Sequence, residues 1–166
     1  MYAAIVALQA AERNRIRAHL LRLSPEDRSL RFAAGLVTDD TICRYVDSIA
    51  FERDIVMGLV SKRGLVIGFV HGCVFDARGC RHVETAFSVD AAWRGHGFGS
   101  RLMDAVLVRA AAGGAATLVG QCAVRNLPMR RIFERAAMSL TREDDELCAR
   151  RVMGGAPVAA AAMAAA

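Results

Sequence analysis

The stretch V-D-A-A-W-R-G-H-G-F-G-S, residues 89–100, is the most informative part of this chain. A β-like run, His82 to Val89, leads into it, and a helical pattern that begins near Phe98 follows it. Glycines alternate at positions 95, 97 and 99. Because glycine has no Cβ, the backbone can turn sharply there and bring its N–H groups close to a ligand. The segment therefore predicts a tight turn from a strand into a helix.

The helix that starts after the glycines favours an anion as the ligand. Its first amides lack partners within the helix, and the positive end of the helix dipole adds to them, which suits a phosphate or pyrophosphate. Arg94 lies at the mouth of the turn and can supply a full positive charge. A bare glycine-rich turn more often binds nothing. Here a strand, an arginine, the glycines and a helix start coincide, and together they predict anion binding.

Two common phosphate loops do not match these residues. A P-loop requires a lysine after its last glycine, whereas Ser100 and Arg101 follow Gly99. A dinucleotide fingerprint requires Gly-x-Gly-x-x-Gly near the first strand, with an acid about 20 residues further on. The present glycines lie past the middle of the chain, and residues 117–120 contain no acid. Both interpretations are excluded.

The pattern Arg94-x-x-Gly97-x-Gly99 resembles the acyl-CoA signature of the GNAT N-acetyltransferase superfamily, Gln/Arg-x-x-Gly-x-Gly/Ala. The likeness covers about residues 82–140 and includes four segments in the family's order. Residues 84–89 resemble the family's fourth strand, residues 101–112 the helix behind the pyrophosphate, residues 117–122 the fifth strand and residues 126–138 the second motif. Four elements in the right order are more specific than the glycines alone. Residues 23–32 also resemble a segment of one GNAT branch, some members of which acetylate protein lysines.

The resemblance implies an α/β (α+β) fold with a mixed, mainly antiparallel central sheet flanked by helices. Strands four and five splay apart in such folds, and the pantetheine arm adds to the exposed strand edge. The implied co-substrate is acetyl-CoA, and the acceptor is a primary amine of a protein lysine or of a small molecule. The implied cofactor-binding residues are Phe87, Ser88, Val89, Arg94, Gly95, His96, Gly97, Phe98, Gly99, Ser100, Asn126 and Phe133.

Glu84 is the candidate general base. Strand alternation places it on one face with Ala86 and Ser88, whose small side chains leave space for a substrate. An ordinary lysine amine has a pKa of about 10.4, so a base helps the attack at neutral pH. In many GNAT enzymes an acid at this place takes the amine proton, often through water. A solvated or salt-bridged strand glutamate is an equal alternative.

Three binding residues also have ordinary structural interpretations. Phe133 stands where the family's second motif usually has a tyrosine that is credited with protonating the departing CoA sulfur. Phenylalanine has no proton to give, so its helical spacing leaves it a packing role, and a non-catalytic CoA-binding sensor or regulatory domain becomes the alternative function. Asn126 either bonds the pantetheine arm or caps its helix. His96 either touches a phosphate or is an exposed loop residue.

Length and composition predict one domain, residues 1–153, followed by an Ala-rich and disordered tail, residues 154–166. Hydrophobic residues make up 54% of the 166, but no apolar run approaches the 18 or so residues of a membrane helix. Five cysteines form no Cys-x-x-Cys pair, which favours reduced thiols in a cytoplasmic protein. The four histidines are scattered without ligand spacing, so no metal site is predicted.

The net charge of +5 raises the question of nucleic acid. The positive charge is spread along the chain without a long basic block, and two tyrosines and one tryptophan do not make a stacking platform. A basic surface equally suits a ligand that carries several phosphates. Nucleic acid is therefore disfavoured as a partner. The oligomeric state stays open, with a homodimer as one option.

Periodicity and turn residues predict the remaining elements. Residues 2–8 form either a strand or a helix start. Helices are expected at 10–23, at 38–51, from Phe98 to the glycines at 113 and 114, and at 126–137, with a short helix that Ser24 caps. Strands are expected at 55–60, 65–75, 82–89, 117–122, 139–142 and 147–153, the last two around an acidic turn, Glu143 to Glu146.

Overall fold

A computed structural model describes residues 3–154, which form one mixed seven-stranded sheet with helices on both faces. The strands lie in the order β1-β2-β3-β4-β5-β7-β6. Their bounds are β1 Ala3–Ala7, β2 Ile55–Ser61, β3 Val66–Ala77, β4 Cys80–Val89, β5 Thr117–Ala123, β6 Ser139–Glu143 and β7 Glu146–Val152. The predicted α/β architecture, mainly antiparallel with helices around the sheet, is confirmed.

Five α-helices connect the strands: α1 Arg13–Leu21, α2 Pro25–Phe32, α3 Asp39–Ser48, α4 Phe98–Ala112 and α5 Leu127–Arg135. The Ser24 side chain accepts a hydrogen bond from the Asp27 amide at the start of α2, as predicted. Thr38 caps α3 in the same way. None of the helices in residues 3–154 is both long and apolar enough to span a bilayer.

Two hydrophobic clusters pack on opposite faces of the sheet. Adjacent residues of β2, Val56 and Met57, belong to different clusters, because successive side chains of a strand point to opposite faces. Val56 faces α1 and α3, where Ile16 and Ile42 are fully buried, and Met57 shares the other cluster with Leu102 of α4. The sheet therefore separates an α1–α3 side from an α4 side.

The parallel pair of β4 and β5 is short. The two strands are paired only from His82 opposite Thr117 to Thr85 opposite Gly120. Beyond Thr85, the rest of β4 stays paired with β3 up to Val89, but its other edge has no strand beside it. The strands thus diverge after four paired residues, as the resemblance implied.

Several predicted bounds were wrong by a few residues. The helix expected to reach Phe51 ends at Ser48, since a turn follows that returns the chain to the sheet. The turn between β3 and β4 is shorter than expected: only Arg78 and Gly79 lie between the strands, both with positive φ, as in a two-residue hairpin. Glu143 and Glu146 pair with each other in β6 and β7 instead of lying in a turn. The predicted disordered tail lies outside the described residues from position 155 onward.

Candidate active site

A cavity of about 830 Å³ opens where β4 and β5 diverge. Its walls come from α2, the second half of β4, the glycine turn with the start of α4, the end of β5 and one face of α5. All the predicted site residues line it except Glu84 and His96. The sequence-predicted set is therefore largely brought together in space, although its contacts with a ligand remain predictions.

The three glycines of the turn are needed for two different reasons. Gly95 and Gly97 both have φ of 75°, the left-handed region that side chains rarely adopt, and the space around their missing Cβ atoms is open. Gly99 has no such conformation. A Cβ there would stand 2.7 Å from Ile132 Cδ1, so this glycine lets α4 pack against α5. No side chain of the described residues caps α4, whose first residues line the cavity.

Arg94 is already paired in this structure. Its Nη2 lies 2.8 Å from Asp27 Oδ2 on α2, and its Nε donates to the Val89 carbonyl at 3.0 Å. Burial works against the charge of Asp27, but hydrogen bonds from Arg94 and Ser24 outweigh it and lower the pKa of that carboxyl. Asp27 therefore stays ionised and neutralises part of the positive charge of Arg94, the charge that was predicted from the sequence to bind a phosphate.

Ser88 is held from the α1–α3 side by a fully buried histidine. His19 Nε2 lies 2.8 Å from Ser88 Oγ, and its Nδ1 lies 2.9 Å from Asp90 Oδ1, although the ring N–H is not aligned with that oxygen. Arg22 binds the other oxygen of Asp90 at 2.8 Å. Burial opposes the ionisation of Asp90, yet the adjacent His19 and Arg22 side chains lower its pKa. This network anchors the part of β4 that has no β5 partner.

Phe133 packs against the backbone of β5. The side chain is 1% exposed, and its Cε1 and Cζ lie 2.9 and 3.0 Å from the position that a Cβ on Gly120 would occupy. The packing role predicted from its helical spacing is confirmed. Cys122 also lines the cavity, and burial, followed by the nearby Cys148 and Glu146, raises the pKa of its thiol.

Asn126 caps α5: its Oδ1 accepts a hydrogen bond from the Met129 amide at 3.2 Å. It also lines the cavity, so capping does not remove it from the candidate ligand contacts. His96 is exposed and its Nδ1 lies 2.7 Å from the Arg94 carbonyl, between the two left-handed glycines. That places it in the loop and outside the cavity wall.

Glu84 lies on the central strand of the sheet, on the α1–α3 side, with Ala86 and Ser88. It is exposed and outside the lining of the cavity, whereas Ala86 and Ser88 line it. Both interpretations of Glu84 made from the sequence thus stay open. A base in this place would act on an amine that approaches from the α1–α3 side.

The contribution of α2 and of the residues just before it was not predicted from the sequence. Leu23, Glu26, Leu30 and Arg31 all line the cavity. A signal was present, because residues 23–32 resemble a segment of one GNAT branch. Spacing alone did not show that this helix would pack beside the open half of β4. Within residues 3–154 no cluster of three or more His, Cys, Asp or Glu could hold a metal ion.

The fold, the glycine turn and the cavity match the architecture that the resemblance implied, and the comparisons with known proteins agree. The model of the acetyltransferase (GNAT) family matches residues 22–138. The chain therefore belongs to the GNAT acetyltransferase family. No curated protein sequence matches it.

Solved structures share the fold at low sequence identity. The GNAT domain of S. lividans PAT is 20% identical, with a TM-score of 0.75 and 90% of each chain covered. A phosphinothricin acetyltransferase from Sinorhizobium meliloti, in complex with acetyl-CoA, is 17% identical, with a TM-score of 0.72, covering 93% of this chain and 90% of that one. The acetyltransferase yncA from Salmonella typhimurium, with its cofactor acetyl-CoA, is 16% identical, with a TM-score of 0.72, covering 96% and 99%.

Proposed function

We propose that this protein transfers an acetyl group from acetyl-CoA to a primary amine by direct attack of the amine on the thioester. The observation that supports this most is the cavity between the diverging strands, with the uncapped start of α4 at its wall. Two solved structures with the same fold contain acetyl-CoA. The pantetheine arm would add to the open edge of β4, and the diphosphate would bind the amides that follow Arg94.

In the proposed reaction the neutral amine attacks the thioester carbonyl. A C–N bond forms, the C–S bond breaks, and coenzyme A leaves as a thiolate. Glu84 takes the proton that the amine releases, directly or through water. A thiol with a pKa of about 8.5 leaves tolerably as a thiolate, so Phe133 does not prevent the reaction. The five unpaired cysteines are consistent with a reducing compartment, and we expect the reaction in the cytoplasm.

The alternative is a CoA-binding sensor or regulatory domain without activity, which Phe133 favours because it removes the usual acid. The two functions differ in turnover. We expect acetyl-CoA-dependent acetylation within a panel of amines and lysine peptides, followed by mass spectrometry. Tight CoA binding without acetylation of any amine would support the sensor.

Glu84→Gln tests the catalytic part. We expect kcat to fall about 10²- to 10⁴-fold, the usual contribution of a general base, with unchanged affinity for acetyl-CoA. Glu52→Gln is the matched control, because Glu52 is also exposed but lies in the turn after α3, away from the cavity. If no acceptor is found and Glu84→Gln alters nothing, the enzymatic proposal is abandoned.

A further inference from the structure

Arg31 of α2 is a cation at the cavity, and the proposed reaction assigns no role to it. It lines the cavity, and no carboxylate of residues 3–154 lies within salt-bridge distance of it. Other arginines around α2 are compensated: Arg28 lies 2.7 Å from Asp39, and Arg94 lies 2.8 Å from Asp27. A half-buried charge without a counterion is unfavourable unless a ligand or water compensates it.

Three aromatic rings hold the Arg31 guanidinium in place. Its Cζ lies 5.1 Å from the ring centre of Phe32, 5.1 Å from that of Tyr45 and 6.0 Å from that of Phe69. Such cation–π contacts fix the side chain without neutralising it. One hydrogen bond adds to them, from Nη2 to the Tyr45 hydroxyl at 2.6 Å. Nε is buried without a partner in the described part of the chain.

A chain of hydrogen bonds behind Tyr45 keeps this arrangement rigid. Arginine is only a donor, so the Tyr45 oxygen accepts from Arg31 and its O–H is free to donate to His71 Nδ1 at 2.7 Å. His71 Nε2–H then donates to Asp54 Oδ2 at 3.0 Å. Asp54 also accepts hydrogen bonds from the backbone amides of Ala50 and Val74. Its negative charge is therefore compensated by groups outside the lining of the cavity.

The ligand that fits Arg31 carries a carboxylate. A planar guanidinium binds a carboxylate through directed, charge-assisted hydrogen bonds. Glu26 and Asp27 line the same side of the cavity, and they would repel a doubly charged phosphate more strongly than a carboxylate. Glu26 would also attract the ammonium form of an amine.

We infer that Arg31 binds the carboxylate of the acetyl acceptor, so the acceptor is a primary amine that also carries a carboxylate, such as an amino acid. This inference rests on the proposed function and deepens it. Arg31 lies on the same cavity as the open segment of β4, where the thioester would lie. An acceptor anchored at Arg31 is thereby confined to that cavity with its amine free to attack.

The test compares amino acids of graded chain length with their carboxamides, which keep the amine and lose the charge. We expect the wild-type protein to use the best carboxylate acceptor about 10- to 100-fold better in kcat/KM than its carboxamide, the range of one charge-assisted interaction. Arg31→Met reduces that ratio to near one, mainly through the KM of the acid. Tyr45→Phe, which keeps the ring but releases the guanidinium, gives a smaller loss.

Controls separate this inference from the proposed function. Arg44→Met is the matched control, because Arg44 is exposed on α3 and pairs with Asp40. Calorimetry with acetyl-CoA should give the same affinity for all variants. If acid and carboxamide are used equally, if Arg31→Met weakens both equally, or if only lysine peptides are acetylated, the inference is wrong while the enzyme remains. If acetyl-CoA itself does not bind, the proposed function fails instead.

Discussion

Replacing Phe133 by tyrosine restores the residue usual at this position of the family and tests whether an acid is simply missing here. The Phe133 ring is 1% exposed and already contacts the β5 backbone at Gly120, whose Cβ position lies 3.0 Å from Cζ. Because the Cζ edge of the ring faces this backbone, a hydroxyl on Cζ would crowd β5 at Gly120. Thr85 Oγ1 lies 3.2 Å from the same Cβ position and already donates to the Val119 carbonyl at 3.0 Å, so it could only accept a hydrogen bond from the new hydroxyl.

We therefore expect Phe133→Tyr to lower the free energy of unfolding by about 1–3 kcal/mol, the range for overpacking a buried side chain. For a chain of this size that corresponds to a fall in Tm of roughly 2–12 °C. Thermal unfolding and acetyl transfer should be measured together, with Phe75→Tyr as the control, because Phe75 is 40% exposed. Wild-type stability combined with a tenfold higher kcat would refute the packing argument, because the hydroxyl would then have room beside the thioester.

Three further predictions follow from the same structure. Gly97→Val should weaken acetyl-CoA binding at least tenfold in calorimetry, because a β-branched residue is strained at φ of 75° and the turn must change; an unchanged affinity would exclude this turn as the phosphate site. Asn126→Ala should cost about 1 kcal/mol of stability, the usual value of a helix cap, in denaturant unfolding. The free energy of unfolding should fall on acidification. Burial, with nearby Arg31, lowers the pKa of His71 in the folded protein, so the His71 side chain of the unfolded chain takes up a proton at a higher pH than that of the folded one. Stability is therefore lost below a pH of about 6.5. Protonation of Asp54, whose hydrogen bonds outweigh burial and lower its pKa, should add a further loss below a pH of about 4. His71→Gln should abolish the first part and reduce the second, because the hydrogen bond from His71 contributes to the lowered pKa of Asp54.

Local signals in the sequence predicted the elements that form the proposed coenzyme side of the cavity. The glycine turn, the start of α4 and the Asn126 cap depend on residues within a few positions of one another, and each lies where the sequence placed it. The errors of a few residues at Phe51 and around Glu143 have a common cause. Where a helix or a turn ends depends on tertiary packing and strand pairing, and propensity alone does not include them.

The proposed acceptor side of the cavity could not be predicted in the same way, because its contacts join residues that are distant in sequence. Arg31 meets Tyr45 and, through it, His71 and Asp54, residues 14 to 40 positions apart that come together only when α2 and α3 pack on the sheet. The buried link between His19 and Ser88 spans 69 positions. Periodicity shows which face of a helix is apolar, but not which polar group will face it across the core.

The arginines of the cavity show that a sequence motif identifies a charged residue but not the partners of that residue in the fold. The signature identified Arg94 as the cation for a phosphate, yet this arginine lies in an ion pair with Asp27 and also bonds the Val89 carbonyl. Three other arginines line the same cavity from the α5 side, Arg125, Arg131 and Arg135, and none lies within salt-bridge distance of a described carboxylate. The cavity arginines without a carboxylate partner are therefore most numerous around α5, whereas Arg94 connects the glycine turn to α2. In this structure Arg94 thus links the glycine turn to α2 through Asp27. A phosphate that binds Arg94 must compete with the Asp27 carboxylate.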